Sequence, residues 1–177
     1  RMKAMIDGLL DYSRVHTTAS DPEAVDADAV LEGVLDSLQM LVRETGATVE
    51  RDHLPRVEAD PDQLGQVFQN LVSNAITHGG ESPTVTVDAT QTDDGMVRFA
   101  VADDGPGIPA DQQDRIFEIF QQGSREQTGT GIGLALCDQV VHRHGGDIWV
   151  ESEAGDGATF YFTMPNPDAP LTEEVTV

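Results

Sequence analysis

The sequence predicts an α+β fold: a two-layer α/β sandwich in which helices cover one face of a mixed, mostly antiparallel sheet. Two observations predict it. Segments with apolar residues at helical spacing come in blocks, separated by pairs of short segments that alternate at period two or carry strand-forming residues. Reading from the second helix onward, the order is αββαββααββ, which segregates helices from a mostly antiparallel sheet.

Residues 1–14 carry Met2, Met5, Ile6, Leu9 and Leu10. That is one stripe on a helix, too short to bury itself within one domain, as expected for the end of a longer helix that pairs with partner helices. "HTTASDPEAVD" at 16–26 reads as a linker. A second helix is expected from about Ala27 to Thr45, with Val30, Val34, Leu35, Leu38 and Leu41 on its apolar face and Gly46 as cap. "ATVERDHLPRVEAD" reads as two short strands. Asp60 and Pro61 then stand in N-cap and first-turn order before a helix that buries Leu64, Val67, Phe68, Leu71, Val72 and Ala75. "TVTVDAT" and "VRFAVAD" alternate at period two around "DDGM", a hairpin turn. After the glycine-rich "DDGPGIP" come a short helix over about 111–120, the polar stretch "QQGSREQTGTG", and a helix over about 132–144 ended by Gly145 and Gly146. "DIWVESE" and "GATFYFTMP" form a last hairpin, and the tail after Pro165 reads as disordered.

At 177 residues and 38% hydrophobic content the chain can bury a real core. No run approaches the length of a membrane span, and the opening "RMKAMIDGLL" lacks a signal-peptide cleavage pattern. The chain opens mid-pattern, as a piece of a longer protein would, which leaves room for an anchor upstream; the expected location is cytoplasmic. The net charge is −22, and Lys3 is the only lysine, so nine of the ten Lys and Arg residues are arginine. With no basic patch, a nucleic-acid partner is disfavoured. Acidic residues spread along the whole chain, with almost no lysine, fit a protein from a high-salt cytoplasm. Cys137 has no disulfide partner and sits in an apolar helical pattern, so it reads as a buried thiol. His142 and His144 are two apart on a helix, so they diverge and do not share a metal.

Four features carry chemistry. Asn70 and Asn74 lie four apart on one helix face, where their carbonyl oxygens can meet a hard cation such as magnesium. Asp103 ends a strand at "DDGPGIP", where a carboxylate can accept a hydrogen bond from an exocyclic amine, and Gly105 and Gly107 allow a flat ring close to the backbone. "QQGSREQTGTG" has the length and polarity of a lid between two helices. "GTGIGLALC" sets glycines before a helix, the arrangement that brings backbone N–H groups to an anion. It is neither a Walker A loop, since no Lys-Ser or Lys-Thr follows, nor a GxGxxG fingerprint.

Taken in order, "QNLVSNAITH", "DDGPGIP", "IFEIF", "GTGIGLAL" and "GGDIWVESEAGDGATFYFTMP" resemble the asparagine, first glycine, phenylalanine and second glycine boxes and the last strand pair of sensor histidine kinases. That catalytic domain belongs to the wider ATPase superfamily of gyrase B, heat-shock chaperone ninety and MutL, with the Bergerat-type ATP-binding fold. The resemblance covers about residues 25–165. Residues 1–14, ending "LLDYSRV", resemble the last turns of the dimerisation and phosphoacceptor helix. It implies four segments: helix end 1–15, linker 16–26, catalytic domain 27–165 and tail 166–177.

The resemblance implies ATP and magnesium as cofactors, with Asn74 and Asn70 holding the metal. It gives Asp103 the adenine amine, and Gly105 and Gly107 the shape of that pocket. Gly129, Gly131 and Gly133 let the lid close over the triphosphate, with Phe117 and Phe120 at its base. Thr77, His78, Ile108, Arg125, Thr130, Ile132, Leu134 and Thr159 complete the pocket. The implied partners are the chain's own phosphoacceptor domain, a response regulator receiver domain, and a second copy joined through the upstream helices. Two positions depart from the family pattern. Thr77 and His78 stand where Lys and Tyr are common, so a phosphate-facing cation is missing there and Arg125 is the candidate replacement. None of His16, His53, His78, His142 and His144 has the phosphoacceptor context, so the acceptor must lie outside this chain. A serine kinase of anti-sigma type, and a nucleotide-binding regulator without phosphotransfer, remain the alternatives.

Overall fold

A computed structural model describes residues 2–118 and 131–169. Its elements are α1 (Met2–Arg14), β1 (Glu23–Asp26), α2 (Ala27–Ser37), α3 (Gln39–Thr45), β2 (Thr48–Arg51), β3 (Arg56–Ala59), α4 (Pro61–His78), β4 (Thr84–Gln91), β5 (Met96–Asp103), α5 (Ala110–Gln113), α6 (Gly133–Arg143), β6 (Ile148–Ser152) and β7 (Ala158–Pro165). The main sheet runs β2-β4-β5-β7-β6. Only the β2–β4 pairing is parallel; β4–β5, β5–β7 and β6–β7 are antiparallel. This is the expected mixed sheet, built on its two hairpins.

The core lies between α4 and the sheet. Phe68 on α4 packs edge-on against Phe99 of β5 and Phe162 of β7, with ring centroids 5.5 and 5.6 Å away, and Phe99 stacks on Phe162 at 4.8 Å. All three are fully buried. Such ring pairs add about 0.5–1.5 kcal/mol each beyond burial of their area. The alternate residues of β5, β7 and β6 point the other way. There Trp149 stacks on Tyr161 at 5.4 Å, and the Arg98 guanidinium lies 5.4 Å from the Tyr161 ring centroid.

Local chemistry sets the helix ends. Asp60 accepts from the N–H groups of Asp62 and Gln63 at 2.9 and 3.2 Å, with Pro61 at the first helical position. Gly46 closes α3 with φ 70°, the left-handed conformation of a glycine cap.

Several expectations need correction. Residues 23–26, expected within the linker, form β1, which pairs antiparallel with β3 in a separate two-stranded sheet. The two strands expected in "ATVERDHLPRVEAD" therefore part company: β2 joins the main sheet and β3 joins β1. The helix expected over 27–45 breaks at Leu38, whose N–H bonds the carbonyls of both Val34 and Leu35 as α2 ends. The short helix expected over 111–120 is regular only over Ala110–Gln113; Phe120 lies outside the described residues. Of the tail, residues 166–169 make a turn whose Asn166 N–H donates to the Gly95 carbonyl at 3.0 Å; residues 170–177 lie outside the described residues. The stripe on α1 is exposed as expected, with Met2 at 78% and Ile6 at 52%.

Candidate nucleotide site

α4 carries the site along one face. Asn70 donates from Nδ2 to the Gln66 carbonyl at 3.0 Å. That bond leaves Oδ1 facing Gly133 at the start of α6. A Cβ on Gly133 would lie 2.9 Å from it, so only glycine lets α6 approach so closely. Asn74 follows one turn later, half-buried on the same side. An amide oxygen on Asn70 that makes no hydrogen bond along its own helix, with Asn74 beside it, is donor chemistry suited to a hard cation. Among the described residues no three His, Cys, Asp or Glu side chains gather as a metal centre.

α6 begins without a side-chain cap. Its N-cap, Ile132, makes no capping bond, and the first helical bond runs from Leu136 N–H to the Ile132 carbonyl at 2.8 Å. The N–H groups of Gly133, Leu134 and Ala135 therefore have no intrahelical acceptor, and the helix dipole adds positive potential. Gly131, at φ 70°, makes the turn into this end. A groove of about 410 Å³ runs along it, lined by Asn70, Gln66, Gln69, Asp62 and Gly65 of α4, by Ile132, Gly133 and Leu136, and by Gly8 and Asp11 of α1.

A second cluster lies at the far end of α4. Eight residues separate Asn70 from His78, about 12 Å of helix axis. Asp103 Oδ1 accepts from the Gly105 N–H at 2.9 Å. Burial pushes the Asp103 carboxyl above its usual value, against the lowering effect of the Gly105 and Ala158 N–H groups and of His78. Burial also pulls His78 below its usual value, with Asp103 opposing. Gly105 sits on the end of α4: a Cβ there would meet Gly79 Cα at 2.8 Å and the His78 carbonyl at 2.9 Å. Thr159 lies on β7 opposite Ala102 and shares the Tyr161 face of the sheet, so its side chain points away from Asp103, against expectation; it is the N–H of its neighbour Ala158 that meets the Asp103 carboxylate. Thr77, by contrast, is exposed on α4.

The loop after Asp103 is held by residues that sequence reasoning did not single out. Ser152 Oγ accepts from the Ile108 N–H at 2.8 Å and donates to the Gly157 carbonyl at 2.6 Å. Gln113 Nε2 donates to the carbonyls of Ile108 and Ser152, both at 2.8 Å. The Gly155 N–H donates to the Pro106 carbonyl at 2.7 Å. A Cβ on Gly157 would lie 2.1 Å from the Asp103 carbonyl. The β6–β7 turn thus clamps the "DDGPGIP" loop. The "GDG" turn string was the available signal; its partner lay some fifty residues away.

The structure therefore brings Asn70, Ile132 and Gly133 together midway along α4, and His78, Asp103 and Gly105 at its C-terminal end; Thr159, expected in the pocket, lies on the other face of the sheet. Leu134 is half-buried in the first turn of α6, and Phe117 packs edge-on against Phe160 at 6.2 Å. Phe120, Arg125, Gly129 and Thr130 lie outside the described residues. Cys137 is fully buried, as expected, and burial pushes its thiol up to about 12.

Residues 59–168 match the family described as histidine kinase-, DNA gyrase B-, and HSP90-like ATPase. The chain belongs to this family. Within it, the domain is similar to cyanobacterial phytochrome A of Nostoc sp. (strain PCC 7120 / SAG 25.82 / UTEX 2576), at 43% identity over 167 residues, covering 93% of this chain and 22% of the phytochrome. It is similar to full-length ShkA, solved in complex with AMPPNP, at 32% identity and a TM-score of 0.80, covering 93% of this chain and 35% of ShkA. It is also similar to histidine kinase ThkA, solved in complex with response regulator protein TrrA, at 26% identity and a TM-score of 0.75, covering 94% of this chain and 47% of that one. The chain thus spans less than half of each of these relatives. It is an ATPase domain of the histidine kinase type, and among its described residues no helix is long and apolar enough to cross a membrane.

Proposed function

We propose that this chain is the ATP-binding part of a sensor histidine kinase and donates the γ-phosphoryl of ATP to a histidine upstream of residue 1. The observation that carries the reading is the layout along α4: an oxygen-bearing Asn70, midway along the helix, facing an uncapped helix start, and a half-buried carboxylate, Asp103, at its C-terminal end. A nucleoside triphosphate can bridge that span, with its base at Asp103 and its phosphates at α6.

Asp103 would accept from the adenine amine, while Gly105, packed on the end of α4, and Gly107, packed on the Glu153 carbonyl, would hold the loop that shapes the pocket. The N–H groups of Gly133, Leu134 and Ala135 would meet phosphate oxygens. Asn74 and Asn70 would hold magnesium, which when bound neutralises phosphate charge. The domain's own task is positioning, the larger part of catalysis in phosphoryl transfer. Arg125 is the candidate for the cation that Thr77 does not supply.

The exposed stripe of α1 suits pairing with a second copy through upstream helices, and the complex solved for ThkA supports a response regulator as a partner. Residues 1–15 would close the phosphoacceptor domain, and residues 27–165 would be the catalytic domain. The charge of −22 supports a high-salt cytoplasm as its setting.

Calorimetry with ATP in the presence and absence of magnesium tests the reading on this chain. The parent should bind in a magnesium-dependent way, and Asn74→Ala should lose most of that binding. Unchanged affinity in the variant with magnesium present would show the metal assignment to be wrong.

A further inference from the structure

The buried polar residues among the described ones are Asp60, Gln63 and His144, and they meet at one place. It lies at the start of α4, the end remote from Asp103. There the chain leaving α1 crosses the start of α4 and the end of α6. Gln63 Nε2 donates to the carbonyl of buried Val15 at 2.8 Å. Asp60 Oδ2 accepts from the Ser20 N–H at 2.7 Å, while its Oδ1 caps α4. Arg143 joins both contacts: one guanidinium nitrogen donates to Gln63 Oε1 at 2.9 Å and another to the Ser20 carbonyl at 3.0 Å. The Asp60 N–H in turn donates to His144 Nε2 at 3.0 Å, and His144 Nδ1 donates to the Val140 carbonyl at 2.7 Å.

A segment that only joins two elements runs over the surface and needs no such set. This one is gripped at two main-chain points by Asp60 and Gln63, both buried, with half-buried Arg143 tying the two contacts together, and satisfied networks of that kind are rigid. The grip fixes the direction in which α1 departs. α1 then lies on α6, with Ile132 Cδ1 3.4 Å from where a Gly8 Cβ would stand, and its Gly8 and Asp11 wall the groove that also holds Asn70 and Gly133.

We propose that Asp60, Gln63 and Arg143 are positioning residues, a latch on the main chain of Val15 and Ser20 that holds α1 over the groove and restricts phosphate entry. The inference rests on the nucleotide reading above. Asp11 and Asp62 both line the groove, so latched α1 adds negative charge and bulk where phosphates would arrive. Release carries Asp11 away and opens one wall. Latching and nucleotide binding therefore oppose one another, and each should weaken the other equally.

Two variants open the latch by different routes. Arg143→Met removes both guanidinium contacts, and Ser20→Pro, at an exposed position, removes the N–H that Asp60 accepts. Spin labels at Asp7→Cys and His142→Cys, both exposed, read the distance between α1 and α6; buried Cys137 stays unlabelled. Circular dichroism verifies the fold, and Ser20→Pro decides the matter should Arg143→Met unfold. The parent should give one narrow distance, and the variants a longer, broader one. Affinity for magnesium-ATP should rise about threefold, the size of one or two screened surface charge interactions. An unchanged distance, or an unchanged ATP affinity once α1 is released, overturns the inference. Absence of ATP binding in the parent refutes the nucleotide reading instead, and the distance measurement then still decides the latch.

Discussion

Asp103→Asn should affect binding and folding in opposite directions. Asp103 Oδ1 already accepts from the Gly105 N–H at 2.9 Å. An asparagine can keep its oxygen there, which puts its amide nitrogen where the second carboxylate oxygen stood. A donor then faces the donor of the adenine amine. An unmatched buried pair of this kind costs about 1–3 kcal/mol, or about 5- to 150-fold in Kd. GTP presents an acceptor at the same place on its base, so discrimination against it should narrow. The fold responds otherwise. Burial holds the Asp103 carboxyl above its unfolded value, so the folded chain binds the extra proton between the two values. Stability from this group is therefore present at low pH and is lost as pH rises through that window. At neutral pH the ionised carboxylate is a cost, so Asp103→Asn should leave the melting temperature unchanged or raise it. Calorimetry with magnesium-ATP and magnesium-GTP, beside a thermal melt at pH 7, reads all three effects. Equal ATP affinity in parent and variant would refute the assignment of the adenine amine to Asp103. A drop in affinity that tracks a drop in melting temperature would mark general damage instead.

Gly107→Ala should destabilise the chain by at least about 2 kcal/mol, because its φ of 77° is left-handed and the new Cβ would stand 2.3 Å from the Glu153 carbonyl oxygen. Gly33→Ala is the control: nothing lies within 4 Å of its added Cβ inside α2, so denaturant unfolding should show a gain of up to about 1 kcal/mol. With 32 acidic against 10 basic residues, melting temperature and ATP affinity should both rise from dilute buffer to molar potassium chloride. The Debye length falls from about 30 Å at 0.01 M to about 3 Å at 1 M over such a series. A flat or falling midpoint would refute the high-salt reading and leave the kinase assignment untouched.

What the sequence made legible was local. Asp60 before Pro61, Gly46 after an apolar stripe and the alternation of β4 and β5 each act within a few residues, and each stands where the pattern put it. Leu38 was illegible as a helix break because it is neither glycine nor proline, and it continues the apolar face it interrupts. β1 is four residues long and exists through β3, some thirty residues on. The same limit applies to the site. Asn70, Asn74 and Asp103 stand in motif strings, but the Ser152 tie joins residues 44 apart, and Arg143 reaches back to Ser20 across 123. Such pairings leave no periodicity to read.

The placement of Trp149 bears on how the protein can be watched. It is the single tryptophan, stacked on Tyr161 on the side of the sheet turned away from the phenylalanine core, α4 and the candidate pocket. Its emission is therefore a natural gauge of whether β6 and β7 remain paired. Direct contact with a nucleotide is not available to it. Yet Ser152, three residues along the same strand, holds the loop that follows Asp103. An emission change on adding ATP would mean that occupancy pulls on that tie and shifts the last hairpin. A silent tryptophan would mean that the pocket is already shaped before the nucleotide arrives.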